Sequence, residues 1–443
     1  DDDDAHHEID QVIVTVAPLS RTVEELAQPT TVLRGDELIK KQSTSIGETL
    51  SQEPGLSSTY FGPVSSRPVI RGQYGERVQV LVNGLDSLDA SALSEDHQTT
   101  VESLLADRIE ILRGPATLLY GSGAAGGLVN VVDTRFVKQP LDKPFSGGVA
   151  LGADTAVGNR DAAVRTQFGN GPIAISADFF TRSTDNIEIP GFAESATLMA
   201  AEEEEGHEEE EGDHEEEEAF GVVENTDSRT DGGAVGVSFI GDRGFLGVSF
   251  SGFNSKYGIP GHHHEEGHHE EEEGHHEEEE EENVRIDLEQ RRVDLIGEYD
   301  VDGGFLSAIR YRAALNDYKH TEFEGEEIGT VFDVQGMDSR LELRHAEMGG
   351  FEGAFGLQYK QVDFNAIGDE AFVPASDTTR TSLFVYEEFR VNDGWVLQGS
   401  ARFEDQSISG ASLGEQYDGS AFGASVGAVW RPVGDIRVSA NLA

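Results

Sequence analysis

Nine of the chain's 14 histidines fall in two glutamate-rich tracts, residues 201–220 and 261–282, which together hold 24 glutamates. The first tract carries His207 and His214. The second carries His262, His263 and His264, then His268 and His269, then His275 and His276, with Gly-His-His recurring through it. Imidazole suits zinc, copper, nickel and iron, and added carboxylates make a hard cation tolerable. Near pH 7 most of these rings are neutral and available as ligands. An acidic tract usually does no more than solvate a surface, but solvation has no use for paired histidines. Like charge at this density cannot build a core, so both tracts are expected as disordered loops that capture metal weakly and multivalently.

A separate pair, Asp96 and His97, lies in the polar stretch 86–104 and includes the only His between His7 and His207. Side by side, a carboxylate and an imidazole are candidate zinc or nickel ligands. Taken alone, the pair reads better as a solvated loop in which Asp96 caps a turn. Two other patterns carry no chemistry. Residues 121–126 fit G-x-G-x-x-G, but the dinucleotide fingerprint must open a helix, and residues 128–132 read as a strand. Residues 264–268 fit H-E-x-x-H, yet Gly267 interrupts the stable helix that a zincin needs. No enzyme is expected.

Composition limits the partners. The formal charge is −53, from 85 acidic against 32 basic residues, which argues against nucleic acid and favours cationic ligands. There is no Cys, so thiolate metal sites and disulfides are excluded. No apolar run approaches the ~18 residues of a spanning helix, although a transmembrane barrel would escape that search. The acidic residues 1–4 are the opposite of a secretory signal's basic start.

The elements that must position these residues are mostly strands. Residues 108–132 read as strand, Gly-Pro turn, one helical turn, glycine-rich bend and strand. Residues 35–41 read as a capped helix with acids first and lysines last, and residues 45–50 as a second short helix. Val78, Val80 and Val82 share a strand face before an Asn83-Gly84 hairpin turn. From residue 145 the pattern changes to segments of alternating faces. Val235, Val237 and Phe239 oppose Ala234, Gly236 and Ser238, while Leu246, Val248 and Phe250 oppose Gly247, Ser249 and Ser251. Trp395, Leu397, Ala401 and Phe403 oppose Gln398, Ser400 and Arg402. The second face is too polar for a dry sandwich core, so the alternation predicts an antiparallel transmembrane barrel, with roughly a dozen strands present.

The stretches RPVIRG (67–72), VQVLVNG (78–84) and RIEILRGPATLLYGSGAAGGLVNVV (108–132) closely resemble, in order, the plug domain of TonB-dependent outer-membrane receptors. The resemblance covers residues 20–135. It implies a mixed α+β plug at 19–140 inside an all-β barrel that begins at 141, is 22-stranded in the family, and runs here to 443. Fewer strands than that, and the lack of the family's terminal aromatic, lead us to expect a chain truncated at its C-terminus. The resemblance also implies that 1–18 is an acidic leader with a TonB box at Gln11, Val12, Ile13, Val14, Thr15 and Val16. There the segment would add as a strand to the sheet edge of the periplasmic coupling protein TonB; an ordinary first plug strand is the alternative.

In that frame the two tracts become extracellular loops, and the plug loop bearing Asp96 and His97 faces them. The expected function is energy-coupled import of a divalent transition metal, most simply zinc. The loops would gather the ion, and Asp96 and His97 with a loop residue would receive it. The partners would be TonB, outer-membrane lipid and the metal ion, without a prosthetic group or nucleic acid, in a monomer. A siderophore or haem receptor is the alternative within the class, and a non-transporting surface metal-binding protein the alternative outside it. Deleting residues 11–16 is expected to abolish uptake and leave ligand binding intact, measured by radiolabelled zinc on whole cells; lost binding would contradict the box assignment.

Overall fold

The computed structural model describes residues 13–197, 219–260, 283–368, 371–410, 414, 416–432 and 436–443. Gln11, Val12 and the nine histidines of the two tracts lie outside the described residues.

The N-terminal third folds around a five-stranded sheet in the order Thr30–Arg34, Ala106–Leu112, Gly127–Asp133, Val78–Val82, Leu85–Asp86. Ile109, Ile111, Val129 and Val131 bury one face against Leu38, Ile46 and Leu50 of the helices Gly35–Lys41 and Ile46–Leu50, while Leu112 and Leu128 on the alternate positions join a second core cluster. Ser45 caps the second helix by accepting from the Glu48 N–H at 3.2 Å. Between the two central strands the chain makes short 3-10 turns, Pro115–Tyr120 and Ser122–Ala124, as the glycine-rich segment predicts. Gly127 has φ +154°, and a Cβ there would stand 2.6 Å from Ile70 Cδ1 and 3.0 Å from the Leu112 carbonyl. Only glycine fits this corner.

From Phe145 the described strands form one antiparallel sheet of 13 in sequence order, ending with Val438–Leu442, with Ile187–Phe192 and Phe220–Val223 paired as a separate hairpin. The predicted alternation holds. Along Gly244–Gly258, Leu246, Val248 and Phe250 are exposed, whereas Ser249, Ser251 and Ser255 are buried against the plug. The apolar face is the one a bilayer requires, and the polar face meets the plug through side-chain-to-backbone bonds. Asn316 Nδ2 donates to the Leu88 carbonyl at 2.8 Å, and Arg340 and Arg402 both reach the Leu119 carbonyl, at 2.8 and 3.0 Å. A buried ion pair, Arg182 to Glu102 at 2.9 Å, adds a further tie. No helix among the described residues is long and apolar enough to cross a membrane. Phe145–Ala153 and Val438–Leu442 each pair on one side only among the described residues.

Strand lengths orient the site. Leu306–Glu324 and Glu327–His345 have 19 residues each, about twice what a tilted strand needs to cross the hydrocarbon. Their outward positions change accordingly: Tyr311, Ala313 and Leu315 are followed by Asp317 and Lys319. The upper part of this strand thus rises out of the apolar band, toward the end where residues 261–282 connect two strands. Turns at the opposite end are short, as between Gly241 and Gly244 or Asn392 and Trp395.

Replacing Gly127 with Val should cost about 3 kcal/mol of plug stability through overpacking at a left-handed backbone position. Limited proteolysis should then cut within residues 22–128, while the barrel keeps its resistance.

Candidate metal centre

The loop that carries His97 is held by a few strong contacts. The Asp89 carboxylate accepts from Ser91 N at 3.1 Å and Ser91 Oγ at 2.6 Å, and from Thr100 N at 3.0 Å and Thr100 Oγ1 at 2.9 Å, closing residues 89–100 into a ring. The buried Arg67 guanidinium donates to the carbonyls of Ser91 and Ser94. From the barrel, the Tyr257 hydroxyl accepts from Gln98 N and donates to the Asp96 carbonyl, both at 3.0 Å. Asp96 and His97 are consequently 5% and 2% exposed. The loop is not a solvated one.

The barrel supplies the partners. His320 and Glu322 sit two apart on Leu306–Glu324, so their side chains leave the same face. That face meets the plug loop. Glu322 Oε1 lies 2.8 Å from His320 Nε2 and 3.3 Å from His97 Nε2. One ligand atom from each of the three side chains falls within 4.8 Å of the others. The two imidazoles meet edge to face with centroids 4.3 Å apart, and Phe332 packs against both rings at 5.0 and 4.7 Å. Ile286 and Leu288, opposite Glu322 and His320 in register, are buried as well. Three carboxylate and imidazole groups therefore share a site with apolar walls.

Second contacts orient the rings. His97 Nδ1 is 3.1 Å from the Ala90 carbonyl. A carbonyl only accepts, so Nδ1 carries a proton, and Nε2 faces the Glu322 carboxylate, donating to it when protonated and presenting a lone pair when the ring is neutral. His320 Nδ1 is 3.1 Å from the Tyr318 hydroxyl, which turns its Nε2 to the same carboxylate. Burial disfavours the His97 imidazolium, but the hydrogen bond with Glu322 and the nearby Asp96 charge outweigh it, and the pKa lies above the ordinary value. Asp96 stands to one side: its Oδ1 is 3.9 Å from His97 Nε2 and already accepts from the Ser94 hydroxyl.

Sequence reasoning looked for the third ligand in a loop. The structure instead offers two candidates from one strand, His320 and Glu322, and brings His97 to them while Asp96 stays at the margin. The signal that could have found them is the His-x-Glu spacing on a strand whose inward face is polar. His97 and Glu322 are 225 residues apart, so proximity itself was not readable. The last residue before the second tract, Pro260, and the first after it, Asn283, belong to the same end of the barrel as this centre. Asn283 is three residues from Ile286, roughly 10 Å along a strand. Of the predicted N-terminal box, Ile13–Val14 pairs with Arg21–Thr22, and Arg21 bonds Glu352 and Glu388 beside the short turns at the other end.

A plug inside an antiparallel sheet with an apolar outer face defines a class of outer-membrane proteins. Residues 22–128 match the TonB-dependent Receptor Plug Domain, and residues 220–443 match the TonB dependent receptor-like beta-barrel. The chain belongs to the TonB-dependent receptor family, which comprises transport receptors of the outer membrane and not enzymes. A hemin receptor of Yersinia pestis is 35% identical over 138 residues, covering 30% of this chain and 20% of that protein. Among solved structures, the copper transporter OprC aligns with a TM-score of 0.71 at 14% identity, covering 93% of this chain and 62% of the other. The FrpB iron transporter from Neisseria meningitidis (F3-3 variant) aligns at 0.67 and 12%, covering 93% and 64%. This chain thus spans about three fifths of the length of these two solved relatives.

Glu322→Gln should lower the His97 pKa, because the carboxylate opposes the burial that favours the neutral ring; the imidazole proton resonances, followed against pH, read this directly. An unchanged or raised His97 pKa would mean that Glu322 does not face the ring as described.

Proposed function

We propose that this receptor imports a divalent transition metal, zinc above others, and that His97, His320 and Glu322 take the ion between plug and barrel. One observation carries the reading. With Nδ1 of His97 committed to the Ala90 carbonyl, a lone pair on Nε2 and the Glu322 carboxylate would face each other at 3.3 Å. Such a contact is repulsive unless a cation stands between the two, whether a proton or a metal. Two of the three ligand spacings, 2.8 and 3.3 Å, are near the ~3.3 Å edge of a tetrahedral site with ~2.0 Å bonds. Two imidazoles and a carboxylate, with a fourth position for water or Asp96, suit zinc. No Cys and only three Met in the whole chain disfavour a soft Cu(I) site.

The tracts at 201–220 and 261–282 gather ions at the outer mouth through His207, His214 and the seven histidines from His262 to His276, at high local concentration. The ordered centre beneath accepts them with better geometry. The coupling protein, reaching residues 11–16 from the periplasmic end, then draws on the plug and separates His97 from His320 and Glu322. Splitting a ligand set between two bodies makes release follow from movement.

Haem is the second reading, supported by the 138-residue similarity to a hemin receptor. Against it, rings meeting edge to face at 4.3 Å leave no space for a porphyrin between them. The test is zinc affinity of the purified receptor by chelator competition. His320→Ala and Glu322→Gln should each weaken binding by about 100-fold and Asp96→Asn by about 10-fold, as expected for a ligand and an outlying partner respectively. Unaltered zinc affinity in the first two variants, or tight hemin binding that both abolish, would overturn the proposal.

A further inference from the structure

On the lipid-facing side of the sheet, near the end with the short turns, one row of side chains is interrupted. Phe239, Leu246, Gly297 and Tyr311 stand opposite one another across four neighbouring strands, all at outward positions. The register runs without a bulge on both sides of Gly297, so the glycine does not serve a kink in the ladder. It leaves a notch. Leu246 leans over one edge, with Cδ1 3.0 Å from where a Cβ on residue 297 would stand. Tyr311 leans the other way, its hydroxyl accepting from Ser339 Oγ at 3.1 Å. A groove of about 520 Å³ stays open over Gly297 and continues past Tyr299 and Ile309 to the turn between Gly241 and Gly244.

We propose that this groove is a site for one phospholipid of the periplasmic leaflet, zwitterionic and with a free amine. An acyl chain lies over Gly297, the phosphate meets Arg243, and the amine meets Asp242 and Asp302. A glycine inside a regular strand marks a close approach by another molecule, and on a face turned to hydrocarbon that molecule is a lipid chain. Short turns belong to the periplasmic end of such a barrel, where the leaflet is phospholipid. The site is separate from the metal centre and does not depend on the cargo.

Depth and charge both fit such a molecule. Gly297 pairs with Leu246, two residues from Gly244, so the notch lies roughly 7 Å from the turn. Tyr299, half exposed in the next row, sits where aromatic residues meet headgroups. Arg243 stands in the turn itself, and its Nη2 bonds Asp302 Oδ2 at 2.5 Å with both side chains more than half exposed. An exposed pair of this kind contributes little, so a phosphate can take the guanidinium through charge-assisted bonds. One cation, flanked by Asp242 in sequence and Asp302 in space, complements one phosphate and one ammonium. To an anionic headgroup the same three side chains offer one attraction and two repulsions, in a chain of net charge −53.

Native mass spectrometry of the full chain in detergent tests this, with palmitoyl-oleoyl phosphatidylethanolamine and, separately, the phosphatidylglycerol of the same chains as titrants. The wild type should bind one phosphatidylethanolamine more tightly than any further lipid, and more tightly than phosphatidylglycerol. Gly297→Leu, which fills the notch, should weaken this first binding about 10-fold. Arg243→Gln should weaken it by a similar factor, the loss expected from one charge-assisted contact. Asp302→Asn should narrow the preference for ethanolamine over glycerol. Val237→Leu, on the same face outside the groove, should change nothing. If Gly297→Leu fails to fold, Arg243→Gln in its exposed turn decides. Equal binding by wild type, Gly297→Leu and Arg243→Gln would be an annular layer only and overturns the site. A wild-type preference for phosphatidylglycerol overturns it as well.

Discussion

The Glu322 carboxylate, buried between the Nε2 atoms of His97 and His320, is the interaction on which the rest depends. It joins a plug loop to a barrel strand across 225 residues of sequence. Buried carboxylates and imidazoles persist only when each finds a partner or a cation. Everything around this group serves that requirement: Ala90 and Tyr318 set the rings, Phe332 walls off solvent, and Asp89 with Arg67 fixes the loop that delivers His97. A change in any of these alters where the charge sits before it alters the fold.

Two ends of the molecule have opposite jobs. At the outer end a strand rises beyond the apolar band and carries His320 and Glu322 of the candidate metal centre, close to where residues 261–282 enter and leave. At the inner end Arg21 is held by Glu352 and Glu388, and the N-terminal strand lies under the plug sheet. Between them the sheet of 106–112 and 127–133 buries Ile109, Ile111 and Val129 completely.

Much of the architecture was legible because strands and turns leave local marks. Leu246, Val248 and Phe250 against Ser249 and Ser251 announced which face meets lipid, and Gly114-Pro115 with the following glycines announced the plug corner. The helix at 35–41 was written in its acids and lysines. The metal centre was legible only by half. Asp96 and His97 drew attention because they are adjacent, yet adjacency put the less engaged of the two, Asp96, on equal terms with His97. His320 and Glu322 escaped notice because a single His in a strand looks like any inward polar residue beside the dense tracts. Contacts that exist only after the barrel wraps the plug, such as Tyr257 on Asp96, leave no local trace. The histidine tracts drew attention to themselves by composition, while the ordered cluster of His97, His320 and Glu322 lies elsewhere in the chain.

Zinc K-edge absorption spectroscopy of the receptor loaded with one equivalent of zinc tests the central claim most directly. In a receptor whose tract histidines in 201–220 and 261–282 are replaced by alanine, the account predicts a first shell of two imidazole nitrogens and carboxylate or water oxygen at about 2.0–2.1 Å, with the imidazole multiple-scattering signal lost when a His97→Ala, His320→Ala double variant is added. An oxygen-only shell, or an imidazole signal that survives the double variant, would contradict it.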